Sequence, residues 1–523
     1  VRLQIREESG TMSQLVLAMY DVRGIQKYIF RTAKVQDATG ASAIVEDIIL
    51  EALKYAVNSM EPSLSMDAKW HQGKKALEFE KGKAEVQVLF VGGGNAYVIF
   101  RDRELCLEIN RRMSAYVMKQ TYSLQLAAAV VDCTDDYQED YRKLHEQMNR
   151  TKADMIVSKP LGALPVMQIE VKTGYPLGKD GSTETRLKKK KNAKRLTGEQ
   201  AERIFDNYVT EKGVDSTIAV VHIDGNNMGL RIREQIQGIQ DYKEAVRRMR
   251  NISCNINESF QQVFQETADH FNRNAVKGKR YFVRKILVAG DDITYVCNGQ
   301  IALATIEYFC RKVSGLTMTG DTDEESIQKY GFSVCAGAAF INSHFPFHVG
   351  YEVAEECCES AKKRAKEERY MDHGRIGSFV DFHICKNVHA QNLKLMRQRE
   401  YRLEGRYSLL TRPYYISTEQ EGGLGKLNEE AFAFDRFKEA VRYFRNEKNM
   451  PRSFAKDLRN TYAQGADQMK LLINFLESRK WKLPDGEHSA FREDGTAKWY
   501  DALEMLDYCM DPDETENSVG EEG

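Results

Sequence analysis

The chain has 523 residues, 42% of them apolar and 29% charged, and a net charge of −1. That length exceeds one ordinary domain and predicts two to four of globular composition, while the near-neutral charge excludes a global field that would gather nucleic acid, so any such contact must be a local patch. Ten scattered cysteines without a Cys-x-x-Cys spacing exclude a disulfide framework and a zinc ribbon, and predict reduced thiols in a cytoplasmic protein. With no signal peptide or long apolar run, neither export nor a membrane is expected.

Residues 1–13 read as a flexible arm, with Met12 a second candidate start after Val1. Leu15 to Tyr20 is an apolar run ending at Asp21, followed by a turn and a helical pattern through Leu53. Val86 to Phe90 and Ala96 to Phe100 are strands around the turn Gly92-Gly93-Gly94-Asn95. Leu105 to Lys119 is an amphipathic helix, Leu124 to Val131 a strand and Tyr137 to Lys152 a helix. The first domain is placed at 14–171. A basic linker is placed at 172–198; Lys172 to Arg195 change character and end in Lys188-Lys189-Lys190-Lys191-Asn192-Ala193-Lys194-Arg195. This reads as a linker or long loop, either a solvated basic run or a contact for RNA.

Ile218 to Ile223 is a strand ending at Asp224, and Gly225-Asn226-Asn227-Met228-Gly229 turns into helical sequence that includes a helix from Val246 to Phe271. Arg284 to Cys297 is a hairpin with Gly290, Asp291 and Asp292 at its turn. Ile301 to Val313 is helical, Phe332 to Phe340 a strand and His348 to Lys366 a helix. The second domain is placed at 199–424, a helical domain at 425–510 and an acidic, disordered tail at 511–523.

Both halves read βα-ββα-βα, which predicts an internal duplication. Asp21 matches Asp224, and Val91-Gly92-Gly93-Gly94-Asn95 aligns with Val288-Ala289-Gly290-Asp291-Asp292 without a gap. The predicted fold class is therefore α/β (α+β): two ferredoxin-like βαββαβ domains in tandem with a C-terminal helical domain. Such a sheet sets the end of its first strand beside the central hairpin. Asp224, Asp291 and Asp292, with the carbonyl of Ile223, would then hold two divalent cations, Mg²⁺ or Mn²⁺. An Asp-rich turn without metal is the plainer reading of the hairpin alone. The backbone N–H groups from Asn226 to Gly229 suit phosphate oxygens, with Gly225 and Gly229 permitting close approach, although a simple strand–helix connection needs the same residues. Lys362 and Lys366, one helical turn apart, either reach the phosphates or form a solvated face.

Asp21-x-x-Gly24-Ile25-Gln26-x-Tyr28-Ile29-Phe30, with Gly40-Ala41-Ser42 after it, resembles the first palm domain of the large subunit of type III CRISPR effector complexes, the Cas-ten family. Ile223 to Gly229, Ala289-Gly290-Asp291-Asp292, Phe345-Pro346 and Asp381-Phe382-His383 resemble its second palm. More distantly, this half is similar to GGDEF-type cyclases, with Ala354-Glu355-Glu356 through Ala361-Lys362 resembling the segment that carries a phosphate-binding lysine. The resemblance implies two facing palms with two ATP molecules between them and synthesis of cyclic oligoadenylate in antiviral defence. The second palm would be catalytic. The first would supply a nucleotide pocket from Gly93, Gly94, Asn95 and Ser42. Three departures stand out: Ala289 replaces the first glycine of the hairpin motif, Asn226 stands where a second acid is usual, and neither a His-Asp dipeptide nor the zinc-binding insertion occurs. The last predicts a compact relative without the DNA-cleaving domain. The rival expectation is a non-catalytic palm scaffold binding RNA or partner subunits of an RNA-guided complex; a template-directed polymerase ranks last.

Overall fold

The computed structural model describes residues 4–509 apart from 7–11, 32–34, 61, 63, 71–83, 93, 135, 157–163, 196–216, 274, 277–278, 322, 344, 387–391 and 419–421. Strands β1 (Gln4–Arg6) and β2 (Met12–Gln14) pair antiparallel. The expected flexible arm is thus partly a short ladder.

The first half runs β3 (Val16–Arg23), α1 (Ile25–Phe30), α2 (Val35–Asn58), β4 (Met66–Asp67), β5 (Val86–Gly92), β6 (Asn95–Phe100), α3 (Arg103–Thr121), β7 (Gln125–Asp132), α4 (Tyr137–Asp154) and α5 (Thr183–Arg195). Its sheet has the order β4-β5-β6-β3-β7. The second half runs β8 (Thr217–Gly225), α6 (Met228–Ile236), α7 (Tyr242–Arg273), β9 (Ala275–Val276), β10 (Lys279–Arg280), β11 (Val283–Ala289), β12 (Asp292–Asn298), α8 (Ala302–Ser314), α9 (Glu324–Tyr330), β13 (Val334–Asn342), α10 (Phe347–Ala365), β14 (Ser378–Ile384), α11 (Leu393–Glu400) and β15 (Tyr414–Ile416). Its sheet has the order β11-β12-β8-β13-β14-β15. The fold is mixed α/β with two large sheets beside the β1–β2 and β9–β10 ladders among the described residues. Each large sheet contains a hairpin, a central first strand and a fourth strand in the order 2-3-1-4, and β14 and β15 extend the second.

The duplication reaches into the backbone. Register slips once in each hairpin, between Val88 and Phe90 and between Lys285 and Leu287. When Val91–Asn95 is laid on Val288–Asp292, the skipped residues Leu89 and Ile286 coincide. A bulge is one extra residue that bends a strand, so both hairpin tips are aimed by the same device.

Helix α10 shows how the second sheet carries its functional helix. Phe347, Tyr351, Ala354, Cys358, Ala361 and Ala365 are buried at helical spacing. A Cβ on Gly337 of β13 would stand 1.9 Å from the Ala354 carbonyl oxygen, so glycine is what lets the helix lie this close. One apolar core joins the halves: it runs from Val16, Ile48 and Val98 of the first to Val220, Ile341 and Phe347 of the second.

Helices α12 (Phe434–Arg445), α13 (Arg452–Tyr462), α14 (Ala466–Ser478) and α15 (Tyr500–Met505) follow. They share a core with the other face of the second sheet. Buried Arg412 stands 3.2 Å from both Asp501 and Glu504 of α15, and Arg397 grips Asp381 of β14 through two bonds of 2.7 Å. Asp381, singled out in the sequence as a family feature, is a tie between sheet and helices.

The basic stretch departs from expectation. Instead of a loop, Thr183–Arg195 is helix α5, packed along α2. Lys188 is 1% exposed; its ammonium bonds Glu184 at 2.6 Å and the Tyr28 carbonyl at 2.6 Å, over the Tyr28 ring. Lys191 pairs with Asp47 and Glu51. A Cβ on Gly40 would sit 2.1 Å from the Lys188 carbonyl oxygen. The charges are consumed in bracing one helix against another, leaving Lys189 and Lys190 as the exposed lysines among those described. The expected acidic tail lies outside the described residues.

Candidate active site

Strand β8 ends Asp224-Gly225, and its pairing with β12 sets Ile223 opposite Ile293. One step further along both strands, Asp224 faces Asp292. The β11–β12 turn is two residues long, Gly290 and Asp291, because Ala289 pairs directly with Asp292. Gly290 has φ +66°, the left-handed region that glycine enters without cost. Ala289 lies in regular strand pairing, so its methyl group introduces no turn strain where the family has glycine. Gly225 has a packing role: a Cβ there would stand 2.8 Å from Asp291 Oδ2.

Burial at this sheet edge, with charge crowding second, raises the proton affinity of Asp291 and Asp292. Burial pushes Asp291 up to about 7, aided by the Asp224 charge. Burial, then Asp224, Asp291 and Glu355, push Asp292 up to about 8. Lys362 of α10 donates to Asp224 Oδ2. Burial opposes its ammonium, but Asp224 outweighs burial and holds its pKa above the usual lysine value. His222 is pushed by burial down to about 4 and is neutral; its Nδ1 lies 3.2 Å from Thr294 Oγ1 and 3.5 Å from Asp292 Oδ1. Asp292 Oδ1 itself is buried without a hydrogen-bond partner.

The first half repeats the arrangement without the two hairpin acids. Asp21 faces Asn95 across β3 and β6. Lys152 of α4 donates to Asp21 Oδ2 at 2.7 Å, as Lys362 does to Asp224. Tyr141 and Tyr351 each stand eleven residues before that lysine. At the hairpin tip, a Cβ on Gly94 would meet Ile25 Cδ1 at 2.1 Å, so an α1 side chain fills the space into which an acid at 94 would project. Asn95 Oδ1 is buried and unpartnered.

A cavity of about 610 Å³ lies between the halves. Gly290, Asp291 and Asp292 form one side, and Asn95, Tyr97 and Tyr141 another. Met228 of α6 and Met249 of α7 close it, and Gln26 of α1 bridges to Glu355 of α10 at 2.7 Å. Several expected residues are elsewhere. Ser42 is buried within α2 and absent from the described lining, and its neighbour Gly40 serves the contact with α5. Lys366 is exposed at the C-terminal end of α10. The N–H of Asn226 is taken by the Ser333 carbonyl at 2.9 Å, and Asn226 and Asn227 line a different cavity. Around Gly229 a Cβ would meet open space. Gly93 lies outside the described residues. Lys152, Tyr97, Tyr141 and Ile25 were missed from sequence; the offset between α4 and α10 in the duplication was a usable signal for Lys152.

The donor set fits a hard divalent cation: carboxylates only, one oxygen unpartnered, and two carboxyls whose raised proton affinity a cation would relieve. The side chains do not stand closed around such an ion: among the described residues no group of three acidic, His or Cys side chains is assembled to hold one. Lys362 occupies Asp224 instead. No helix among the described residues is long and apolar enough to cross a membrane.

Residues 217–371 match the family model for Cas10/Cmr2, second palm domain. Among solved structures, the chain is similar to a Csm1–Csm4 cassette in complex with cA4, with TM-score 0.52, 12% identity, and 94% of this chain and 69% of that one covered. It is also similar to Csm1 in T.onnurineus, with TM-score 0.49, 13% identity and coverages of 95% and 69%. No curated protein sequence matches the chain. Residues 217–371 thus form a palm domain similar to the second palm of Cas10/Cmr2, within a two-palm fold shared with the Csm1–Csm4 cassette. The resemblance to the large subunit of type III CRISPR effector complexes holds for the second palm and for the architecture around it.

Proposed function

We propose that the chain is a metal-dependent nucleotidyltransferase that joins ATP into cyclic oligoadenylate as part of a type III CRISPR-type defence complex. The observation that carries this reading is one cavity between two related palms, with Asp291 and Asp292 on one side and Asp21, Asn95, Tyr97 and Tyr141 on the other. The Csm1–Csm4 cassette with the same fold is a complex with cA4, which supports both the product class and a partner subunit.

Asp224, Asp291 and Asp292, with the Ile223 carbonyl, would hold Mg²⁺ or Mn²⁺. When bound, such ions activate a hydroxyl and steady a leaving pyrophosphate. The protein's own contributions are positional. Asn95 Oδ1, buried and unpartnered, accepts from a ribose hydroxyl or a base N–H. The Tyr97 and Tyr141 rings offer faces to a base. Lys362, released from Asp224, supplies charge to phosphate oxygens. In this scheme the first palm holds the nucleotide whose 3′ hydroxyl attacks the α-phosphate of its neighbour, and rate comes from holding the two in line.

Incubation with mixed nucleoside triphosphates and Mg²⁺ or Mn²⁺, followed by mass spectrometry, tests it. ATP-derived cyclic products are expected, and Asp291→Ala with Asp292→Ala should abolish them. Products unchanged in the double variant would refute the assignment. The Lys362–Asp224 pair favours a second reading, a binding scaffold that takes up no metal. A Mn²⁺ titration without saturable binding would support that scaffold.

A further inference from the structure

The turn after Asp224 has a second side. Behind it lies a cavity of about 480 Å³, at the starts of β13 and β14 and the end of β15. Two guanidiniums line it. Among the described residues, Arg231 of α6 donates only to the Tyr330 and Gly331 carbonyls, at 2.6 and 2.9 Å. Arg375, in a tight turn where its N–H and carbonyl both pair with Asp372, makes no side-chain hydrogen bond or ion pair among the described residues. The one acid in the described lining, Glu234, is exposed and bonded to neither. The charges of Arg231 and Arg375 act on one another: burial, then Arg375, lower the Arg231 pKa to about 10. One lining residue, Asn226, also carries a buried polar atom with nothing to bond. Asn226 is 2% exposed; its Nδ2 donates to Ser333 Oγ and the Gly377 carbonyl, while its Oδ1 is buried and unpartnered.

We infer that this cavity is an anion site for a phosphate or pyrophosphate group of a nucleotide, with Arg375 and Arg231 as its cationic contacts and Asn226 Oδ1 as acceptor for a ligand hydroxyl or N–H. Two guanidiniums lining one cavity, with no carboxylate bonded to either among the described residues, repel one another more than the Glu234 charge offsets, and a phosphate between them removes that repulsion while using the planar donors of both. The unpaired acceptor beside them distinguishes a nucleotide from a bare anion, because a bare anion at neutral pH has little to donate. The phosphate can belong to the tail of a nucleotide seated in the inter-palm cavity or to a separate ligand. Binding at the site does not depend on the proposed catalysis.

Calorimetric titration of the full chain with inorganic pyrophosphate decides it. Saturable one-to-one binding is expected, weakened roughly tenfold or more by Arg375→Gln, the order expected for a lost charge-assisted bond. Leu230 lines the cavity and is 48% exposed; Leu230→Glu introduces a repelling charge without disturbing a core, and should weaken binding similarly. Binding should persist in Asp291→Asn with Asp292→Asn, which separates this site from the catalytic reading. With a non-hydrolysable ATP analogue added, one-for-one displacement of pyrophosphate assigns the site to the tail of the inter-palm nucleotide, and simultaneous binding assigns it to a separate ligand; both uphold it. No binding by the wild-type chain, or equal affinity in wild type, Arg375→Gln and Leu230→Glu, overturns it.

Discussion

Asp291 and Asp292 make stability depend on pH in a direction opposite to that of ordinary surface acids. Folding raises both carboxyls, to about 7 and about 8, from an unfolded value of about 4. The folded chain therefore holds protons that the unfolded chain releases. The stability this contributes is complete below about pH 4 and is lost as pH rises through about 7 and 8. Metal-free protein should lose Tm between pH 5 and 8 relative to Asp291→Asn with Asp292→Asn, and Mn²⁺ should narrow the gap; parallel Tm curves would show that the acids titrate normally. Gly225 allows a finer probe. Its Cβ site overlaps Asp291 Oδ2, so Gly225→Ala should displace that carboxylate and weaken Mn²⁺ binding, with thermal unfolding changed far less than binding. The acids were legible in the sequence because adjacent like charges at a turn serve structure poorly. Ile25 was not, since nothing in an apolar residue tells that it fills the place of a missing acid. Ser42 misled, because a motif carries residues that pack as well as residues that bind.

At the level of elements, the hairpins and their flanking helices follow from period and turn chemistry, and the shared bulge is the strongest sign that they are copies. Helix α5 was hidden by its own charge. Four consecutive lysines read as solvated, yet Glu184 and Lys188 stand one helical turn apart and both are buried. Periodicity of apolar residues cannot report a helix whose buried face is an ion pair. Replacing Lys188 by Met would strand Glu184, which is fully buried. Loss of one partner of such a pair costs about 3–5 kcal/mol, and chemical denaturation should show a shift of that order for Lys188→Met but little for Lys190→Met. Equal small effects would return α5 to the surface.

For the molecule as a whole, amphipathic patterns in the sequence marked which faces are apolar but not which partner each would choose. The chosen partners tie the halves together: Phe30 of the first stacks on Tyr351 of the second, and one core runs through both. Thermal unfolding should therefore show a single cooperative transition for both palms, and two separated transitions would contradict the shared core. The palms arose as repeats, but neither now owns a complete interior. A gene cut within 196–216 would yield two polypeptides, each with a greasy flank bared to solvent. Made separately, they should precipitate or recruit chaperones; made together, they should find each other and rebuild the cleft. Having fused its insides, the pair can no longer be inherited, swapped or lost one half at a time.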